Sequence, residues 1–201
     1  MMRSLYLGLV QGKAVPRRHA LGQVRLWWWG IGVGLLVSGC QIGTRWQVVQ
    51  GDGFQVQLPG TPKQEQRTLE TPAGTVVTYA WGVNRPKGSY AVVLTDYNQP
   101  VQRLAHSSLV WEQLKAQAQQ RVQGQVTQER QVTRSGYPGR EMLLTIPPER
   151  LAGGGVAKVQ FYFVGQRVYG LYAIVPQQHQ ADLASFFDSF QVTHQPTPAS
   201  P

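Results

Sequence analysis

The sequence predicts an α+β domain with a mostly antiparallel β-sheet of about six to eight strands, flanked by two main helices at about residues 107–123 and 179–190. Two observations predict this class. Short segments with apolar side chains at every second position occupy most of the chain, and helical spacing of apolar residues occurs only twice. The order of several strands, one helix, several strands and one helix favours antiparallel pairing over a parallel βαβ fold.

The clearest strand signal is Phe54–Leu58, where apolar and polar residues alternate strictly before the turn residues Pro59-Gly60. Gly165-Gln166 suits the type II′ turn of a β-hairpin. Tyr137-Pro138-Gly139 predicts another turn, after which Arg140 and Glu141 are expected to be exposed strand partners. Further strands are predicted at residues 46–49, 63–70, 77–83, 89–96, 126–134, 140–146, 157–164 and 167–175, with a turn at 71–74.

Both helices have their apolar residues on one side. In the first helix, Ser107 is expected to cap the N-terminus and Gly124 to stop the C-terminus. In the second helix, a leucine and three phenylalanines follow the spacing i, i+3, i+4 and i+7, which predicts tight packing of that face. The apolar positions are Val110, Trp111, Leu114, Ala118 and Val122 in the first helix, and Leu183, Phe186, Phe187 and Phe190 in the second.

The net charge of +9 over 201 residues is concentrated in the first segment of the chain. Residues 1–39 contain five basic and no acidic residues, which leaves fourteen basic and ten acidic residues in the remainder. This ordinary surplus gives no support for a nucleic-acid partner. The single cysteine excludes an intramolecular disulfide and a multi-thiolate metal site.

The first forty residues have the three parts of a secretory signal in order. A basic region ends at Arg25, Leu26–Val37 is an uncharged apolar stretch, and Ser38 and Gly39 are small. Twelve helical residues rise only ~18 Å, which is too short for a hydrocarbon core of ~30 Å. The segment therefore predicts a cleaved signal. The alternative is an uncleaved signal-anchor followed by a buried cysteine.

The residues Val37-Ser38-Gly39-Cys40 resemble the lipobox of bacterial lipoproteins. This resemblance implies cleavage between Gly39 and Cys40 and acylation of Cys40, which would bind membrane lipid. The expected organisation is a signal peptide at 1–39, a tether at 40–45, a folded domain at 46–193 and a disordered tail at 194–201. The expected location is extracytoplasmic, on the periplasmic face of the cell envelope or in a thylakoid lumen.

Four segments of the expected domain resemble a recurrent bacterial lipoprotein domain and, more distantly, the PsbP-like superfamily. They are Phe54–Pro62, Gly136–Glu141, Gln166–Tyr172 and Phe186–Val192. The resemblance implies an antiparallel sheet flanked by helices, and a precedent for assisting a membrane protein complex. The resemblance implies no metal ligands in this chain.

Neither a catalytic nor a metal-binding motif was found, so the sequence predicts no enzyme and no cofactor. His106, His179 and His194 are not spaced as metal ligands. The candidate partner contacts are Tyr137 and the basic residues Arg130, Arg134 and Arg140, which with Arg121 form the densest basic run. The alternative interpretation of this run is a solvated strand face with interspersed Glu129 and Glu141.

The predicted function is a non-enzymatic, membrane-tethered accessory or binding lipoprotein with a protein partner in the envelope or thylakoid. One alternative is a carrier that holds a small apolar ligand between the sheet and the phenylalanine-rich helix, which needs a cavity of at least ~300 Å³. A third candidate is an envelope hydrolase, which needs a cavity with at least two convergent titratable groups.

Overall fold

The computed structural model describes residues 45–71, 74–97 and 99–193, apart from the side chains of 69–71, 74 and 102. The predicted signal peptide, Cys40 with its cleavage site, tether residues 40–44 and the tail at 194–201 lie outside the described residues. So do Pro72 and Ala73 of the predicted turn.

Within the described residues the chain forms ten strands and two α-helices. The strands are β1 Gln47–Gly51, β2 Phe54–Leu58, β3 Lys63–Thr71, β4 Gly74–Arg85, β5 Gly88–Asp96, β6 Gln125–Arg134, β7 Tyr137–Ile146, β8 Gly155–Val164, β9 Arg167–Pro176 and β10 Gln191–Val192. The helices are α1 Ser108–Val122 and α2 Asp182–Ser189, and short 3-10 turns at Gln102–His106 and Gln177–His179 precede them.

The strands form two antiparallel sheets, which confirms the predicted α+β class. Seven strands form the main sheet in the order β3-β4-β5-β9-β8-β7-β6, and a smaller sheet has the order β1-β2-β10. The main sheet consists of two consecutive meanders, β3 to β5 and β6 to β9, which meet where β5 pairs with β9. The short strand β10 was not predicted.

The main sheet carries a hydrophobic core on each face. On one face the small sheet and α2 pack against it, with the fully buried rings of Phe54, Phe186 and Phe190 between them. On the other face α1 and the preceding 3-10 turn bury Trp111 against Phe163. Both faces of the central strands are therefore apolar, which explains why β8 and β9 are buried along nearly their whole length.

Both helices are confirmed, with differences at their ends. The Ser107 side chain accepts a hydrogen bond from the Val110 backbone N–H, as expected of an N-cap. At the other end Gln123, and not Gly124, adopts the left-handed conformation. The second helix is shorter than predicted because residues 177–179 form a 3-10 turn and Phe190 is already extended.

The predicted Gly165-Gln166 hairpin is confirmed: Val164 pairs with Arg167, and Gly165 has a φ of 62°. The predicted turn at 137–139 is wrong. The turn lies two residues earlier, at Ser135-Gly136, where both residues have positive φ as a type I′ turn requires. Gly139 is instead a strand residue, and a side chain there would collide with the Phe161 carbonyl of the neighbouring strand.

Candidate functional site

Strand β6 forms one edge of the main sheet. Among the described residues it pairs only with β7, and most of its side chains face solvent. An irregularity in the register between Val126 and Gln128 interrupts the pairing near its start. The outer backbone groups of an edge strand can pair with another chain. This edge is therefore the candidate contact site.

A buried carboxylate lies beside this edge. Glu141 in β7 is 8% exposed, although the sequence predicted an exposed residue. Its Oε1 accepts a hydrogen bond from Arg130 Nε at 2.7 Å, and its Oε2 lies 2.8 Å from Lys158 Nζ and 2.5 Å from Gln160 Nε2. The Tyr162 hydroxyl donates to Gln160 Oε1 at 2.9 Å. The network links the edge strand to the core.

The surroundings of Glu141 keep it ionised. Burial alone would raise the pKa of this carboxyl group, but hydrogen bonds from Arg130, Lys158 and Gln160 outweigh burial and lower the pKa. Burial raises the pKa of the Tyr162 hydroxyl, so it remains a proton donor to Gln160. The network therefore has a fixed charge pattern at neutral pH.

A second charge network lies on the opposite face of the same hairpin. Glu129 Oε1 accepts from Arg140 Nη1 at 2.5 Å, and Glu129 Oε2 lies 3.4 Å from Lys115 Nζ of α1. The Arg140 guanidinium is 4.9 Å from the centre of a Trp111 ring. Burial works against ionisation of Glu129, yet the contacts with Arg140 and Lys115 lower its pKa. Arg140 is thus held by an ion pair and by a cation–π contact.

The predicted contact residues fall into two groups along this hairpin. Arg130 and Arg140 project to opposite faces, but both line a shallow groove of about 220 Å³ together with Glu129 and Gln131. Arg134 and Tyr137 face each other at the turn end of the hairpin. Only the Arg130 side chain is mostly exposed, at 58%.

The other members of the basic run also have partners. Arg134 Nη2 donates to the Phe187 carbonyl at 3.1 Å and lies 3.8 Å from Asp188. The Arg121 guanidinium lies 4.8 Å from the centre of the Tyr172 ring. Glu129 and Glu141 are interspersed as the sequence indicated, but they pair with the arginines and Glu141 is buried. Each arginine of this run is therefore oriented by a contact with another residue.

A second cavity of about 220 Å³ lies where the chain enters the domain. Its described lining residues are Trp46, Pro59, Arg85, Lys87, Tyr90 and Asp182. Burial, and then the charge of Asp182, raises the pKa of Tyr90 to about 12, so this phenol stays protonated at neutral pH. Asp182 itself lies 3.5 Å from His179 Nδ1. The cavity thus brings together two titratable groups, Tyr90 and Asp182, as the hydrolase alternative requires, but its described lining residues include no serine, cysteine or threonine that could act as a nucleophile.

The phenylalanines at positions 186, 187 and 190 fill the core, and none of them lines either of the two cavities described above. Phe186, Phe187 and Phe190 are fully buried. The Phe190 ring lies 5.7 Å from the Tyr162 ring and is nearly parallel to it, and Phe186 meets Phe187 edge-on at 4.9 Å. Both cavities described above are smaller than the ~300 Å³ typical of small-molecule sites. These observations give no support to an apolar-ligand carrier.

The described residues include no cluster of three or more histidine, cysteine, aspartate or glutamate side chains that could hold a metal ion. Asp96 forms an ion pair with Arg167 at 3.2 Å. No helix in residues 45–71, 74–97 and 99–193 is long and apolar enough to cross a membrane.

Comparison with known proteins gives structural similarity only. No protein-family model and no curated protein matches the chain. It is similar to the solution structure of cyanobacterial PsbP (CyanoP) from Synechocystis sp. PCC 6803, with 12% identity, a TM-score of 0.47, and coverage of 79% of this chain and 99% of that one.

Two further solved structures are similar. One is a Bacteroides thetaiotaomicron VPI-5482 protein, with 9% identity, a TM-score of 0.42 and coverage of 76% of this chain and 49% of that one. The other is PA94 of Pseudomonas aeruginosa, a protein of unknown function, with 7% identity, a TM-score of 0.34 and coverage of 68% and 87%. All three TM-scores lie below 0.5, so the functional proposal rests on this chain's own residues.

Proposed function

We propose that this protein is a non-enzymatic, membrane-tethered binding module that engages a protein partner through the open edge of β6. The observation that carries the proposal is the orientation of Arg130. Its guanidinium is anchored on buried Glu141, yet the side chain is mostly exposed on a strand whose outer edge pairs with no other strand in the described part of the chain. A rigidly held charge beside free backbone groups suits protein recognition.

The charge networks on the two faces favour binding over catalysis. Glu129 and Glu141 are each held by two cations, and their lowered pKa values keep them ionised. A general acid or base works best with a pKa near the operating pH, and these contacts move both carboxylates away from it. What remains is a pre-organised surface, which loses little side-chain entropy on association.

The tether is the second part of the proposal. The Val37–Cys40 lipobox resemblance, placed after a twelve-residue apolar stretch, supports acylation of Cys40 and an extracytoplasmic location. Two or three acyl chains hold a protein durably on a bilayer, whereas one chain does so only reversibly. The proposed partner is therefore a component of the same envelope or thylakoid membrane.

Photo-crosslinking from the two edges of the main sheet tests the proposal. A photoreactive amino acid at Gln131, exposed in β6, is compared in native membranes with one at Gln64, exposed in the opposite edge strand β3. We expect a discrete crosslinked partner from residue 131 and none from residue 64. Binding of the purified partner should weaken in Arg130→Gln. Equal crosslinking from both edges, or unchanged binding of Arg130→Gln, would overturn the β6 assignment.

A further inference from the structure

The end of the domain at which the tether enters has its own surface, which we name the anchor end. Trp46 packs edge-on against Tyr90, with ring centres 5.5 Å apart, beside the last residues of β2. The β4–β5 turn, Arg85–Gly88, projects at the same end. So does the loop before β8, because Gly155 pairs with Pro176 at the end of β9.

The anchor end carries more basic than acidic side chains. Its described basic residues are Arg45, Arg85, Lys87 and Arg150, and its acidic residues are Glu149 and Asp182. All four basic residues are exposed. Arg85 Nε donates to the Pro59 carbonyl at 3.0 Å, and no ion pair within the described part of the chain neutralises Arg45 or Lys87.

The opposite end of the sheet carries fewer unpaired cations, because Arg167 has two acidic partners. There Arg167 lies 2.7 Å from Asp52 and 3.2 Å from Asp96. The exposed Arg103 follows the segment whose Val101 N–H donates to the Gly165 carbonyl in the β8–β9 turn, so it also belongs to that opposite end. Among the described residues, cations without an ion pair are therefore more numerous at the anchor end, from which the chain leads to Cys40, than at the opposite end, where Arg103 has none.

The anchor-end cavity is lined by more basic than acidic side chains. Arg85 and Lys87 provide two positive charges in its lining, against the single carboxylate of Asp182, which is shared with His179. Its volume is about 220 Å³. That space suits a phosphate-bearing headgroup. The indole of Trp46 is of the kind enriched at membrane–water interfaces.

We propose that the anchor end seats on anionic lipid headgroups, with Arg45 and Lys87 at the bilayer surface and a headgroup phosphate in the cavity beside Arg85. The inference rests on the proposed lipid anchor. Six residues lead from Cys40 to Trp46, and they span at most ~20 Å at ~3.5 Å per residue, so this end stays near the bilayer. When the anchor end rests on the bilayer, the β6 edge of the main sheet forms one lateral side of the domain.

Depth-dependent fluorescence quenching tests this seating. The sample is the processed, lipidated protein, reconstituted into vesicles. A fluorophore is attached at Pro86→Cys, at the tip of the anchor end, and in a matched sample at Arg103→Cys, at the opposite end. Quenchers are carried on lipid headgroups. In vesicles with 30% phosphatidylglycerol we expect strong quenching at residue 86 and little at residue 103. In pure phosphatidylcholine, or in 0.5 M salt, quenching at residue 86 should fall.

Charge variants identify the cause. The double variant Arg45→Gln/Lys87→Gln should lower the ratio of seated to unseated protein by roughly fivefold for each charge removed. The charge-conserving pair Arg45→Lys/Lys87→Arg should behave as the wild type. Quenching at residue 86 that ignores lipid charge, or equal quenching at both labels, overturns the proposal. Failure of the protein to float with any vesicle would instead disprove the lipid anchor.

Discussion

Arg167 joins the two sheets of the domain, because its Nη2 lies 2.7 Å from Asp52 Oδ2 in the β1–β2 turn while its Nε lies 3.2 Å from Asp96 Oδ2 in β5. The Tyr169 hydroxyl adds a hydrogen bond to the Asp52 carbonyl at 3.2 Å. The small sheet is thus fixed to the main sheet by polar contacts at its turn as well as by the core.

We predict that Arg167→Gln lowers the free energy of unfolding by about 1 kcal/mol, since partly exposed ion pairs contribute little individually. Asp52→Asn should lower the free energy of unfolding by less, because the Asp52 side chain is 62% exposed and Arg167 keeps its ion pair with Asp96. Urea unfolding of both variants measures the difference. A larger loss in Asp52→Asn than in Arg167→Gln would contradict this account of the bridge.

Glu141→Gln should destabilise the domain by about 3 kcal/mol at pH 7, because it leaves Lys158 and Arg130 without their shared counter-charge. The matched variant is Glu129→Gln on the other face of the hairpin, where the side chain is 26% exposed and the expected loss is under ~1 kcal/mol. Equal losses in the two variants, measured by chemical denaturation, would show that burial of Glu141 does not matter.

The stabilisation from Glu141 should depend on pH in a defined direction. Its pKa is lowered in the folded protein, so its contribution is fully present above the unfolded value of about 4.3 and is lost as pH falls through the folded value. The difference in unfolding free energy between wild type and Glu141→Gln should therefore be constant from pH 7 to about 5 and shrink below about 4. Urea titrations across this range provide the measurement; a difference that grows in acid would refute it.

Gly139→Ala should destabilise the domain by roughly 1–3 kcal/mol, because the added methyl group meets the Phe161 carbonyl of a packed neighbouring strand. Gly82→Ala is the control in another strand of the same sheet, where the nearest atom to the new methyl group is 3.9 Å away. Thermal unfolding should show a lowered midpoint for Gly139→Ala only. A comparable drop in both variants would point to a general cost of side chains in the sheet.

Cys40→Ala should release the domain from membranes or leave an uncut precursor, because no acyl acceptor remains at the cleavage site. Membrane fractionation and the apparent mass of the product measure both outcomes. Ser38→Ala, which keeps a small residue before the cysteine, should be processed normally. Unchanged processing together with unchanged membrane association of Cys40→Ala would rule out the lipid anchor.

Local patterns predicted most elements of the fold. Strict alternation located β2 at Phe54–Leu58, and Ser107 caps α1 as expected. The pairing of β5 with β9 could not be predicted, because it joins strands about seventy residues apart and no local signal specifies such a partner. The two-residue strand β10 is too short for any periodicity to show.

The candidate site was predicted as a set of residues but not as a geometry. Proline and glycine at 138–139 suggested a turn, whereas the pair Ser135-Gly136 makes it. Because the turn was predicted two residues too late, the predicted strand omitted Tyr137 and Gly139 from the start of β7. With the full strand, Tyr137, Gly139, Glu141 and Leu143 alternate on one face, and that pattern could have shown that Glu141 points towards the core.

The closing strand β10 constrains when the native state can form. Gln191 pairs with Gln55 of β2, 136 residues earlier in the chain, so the small sheet is incomplete until almost the last described residue is available. A polypeptide that crosses a membrane as an unfolded thread, as the proposed signal requires, gains from this arrangement. Such a chain cannot complete its fold around β2 while its C-terminal part is still on the side of synthesis, so in the proposed export translocation would precede completion of the fold.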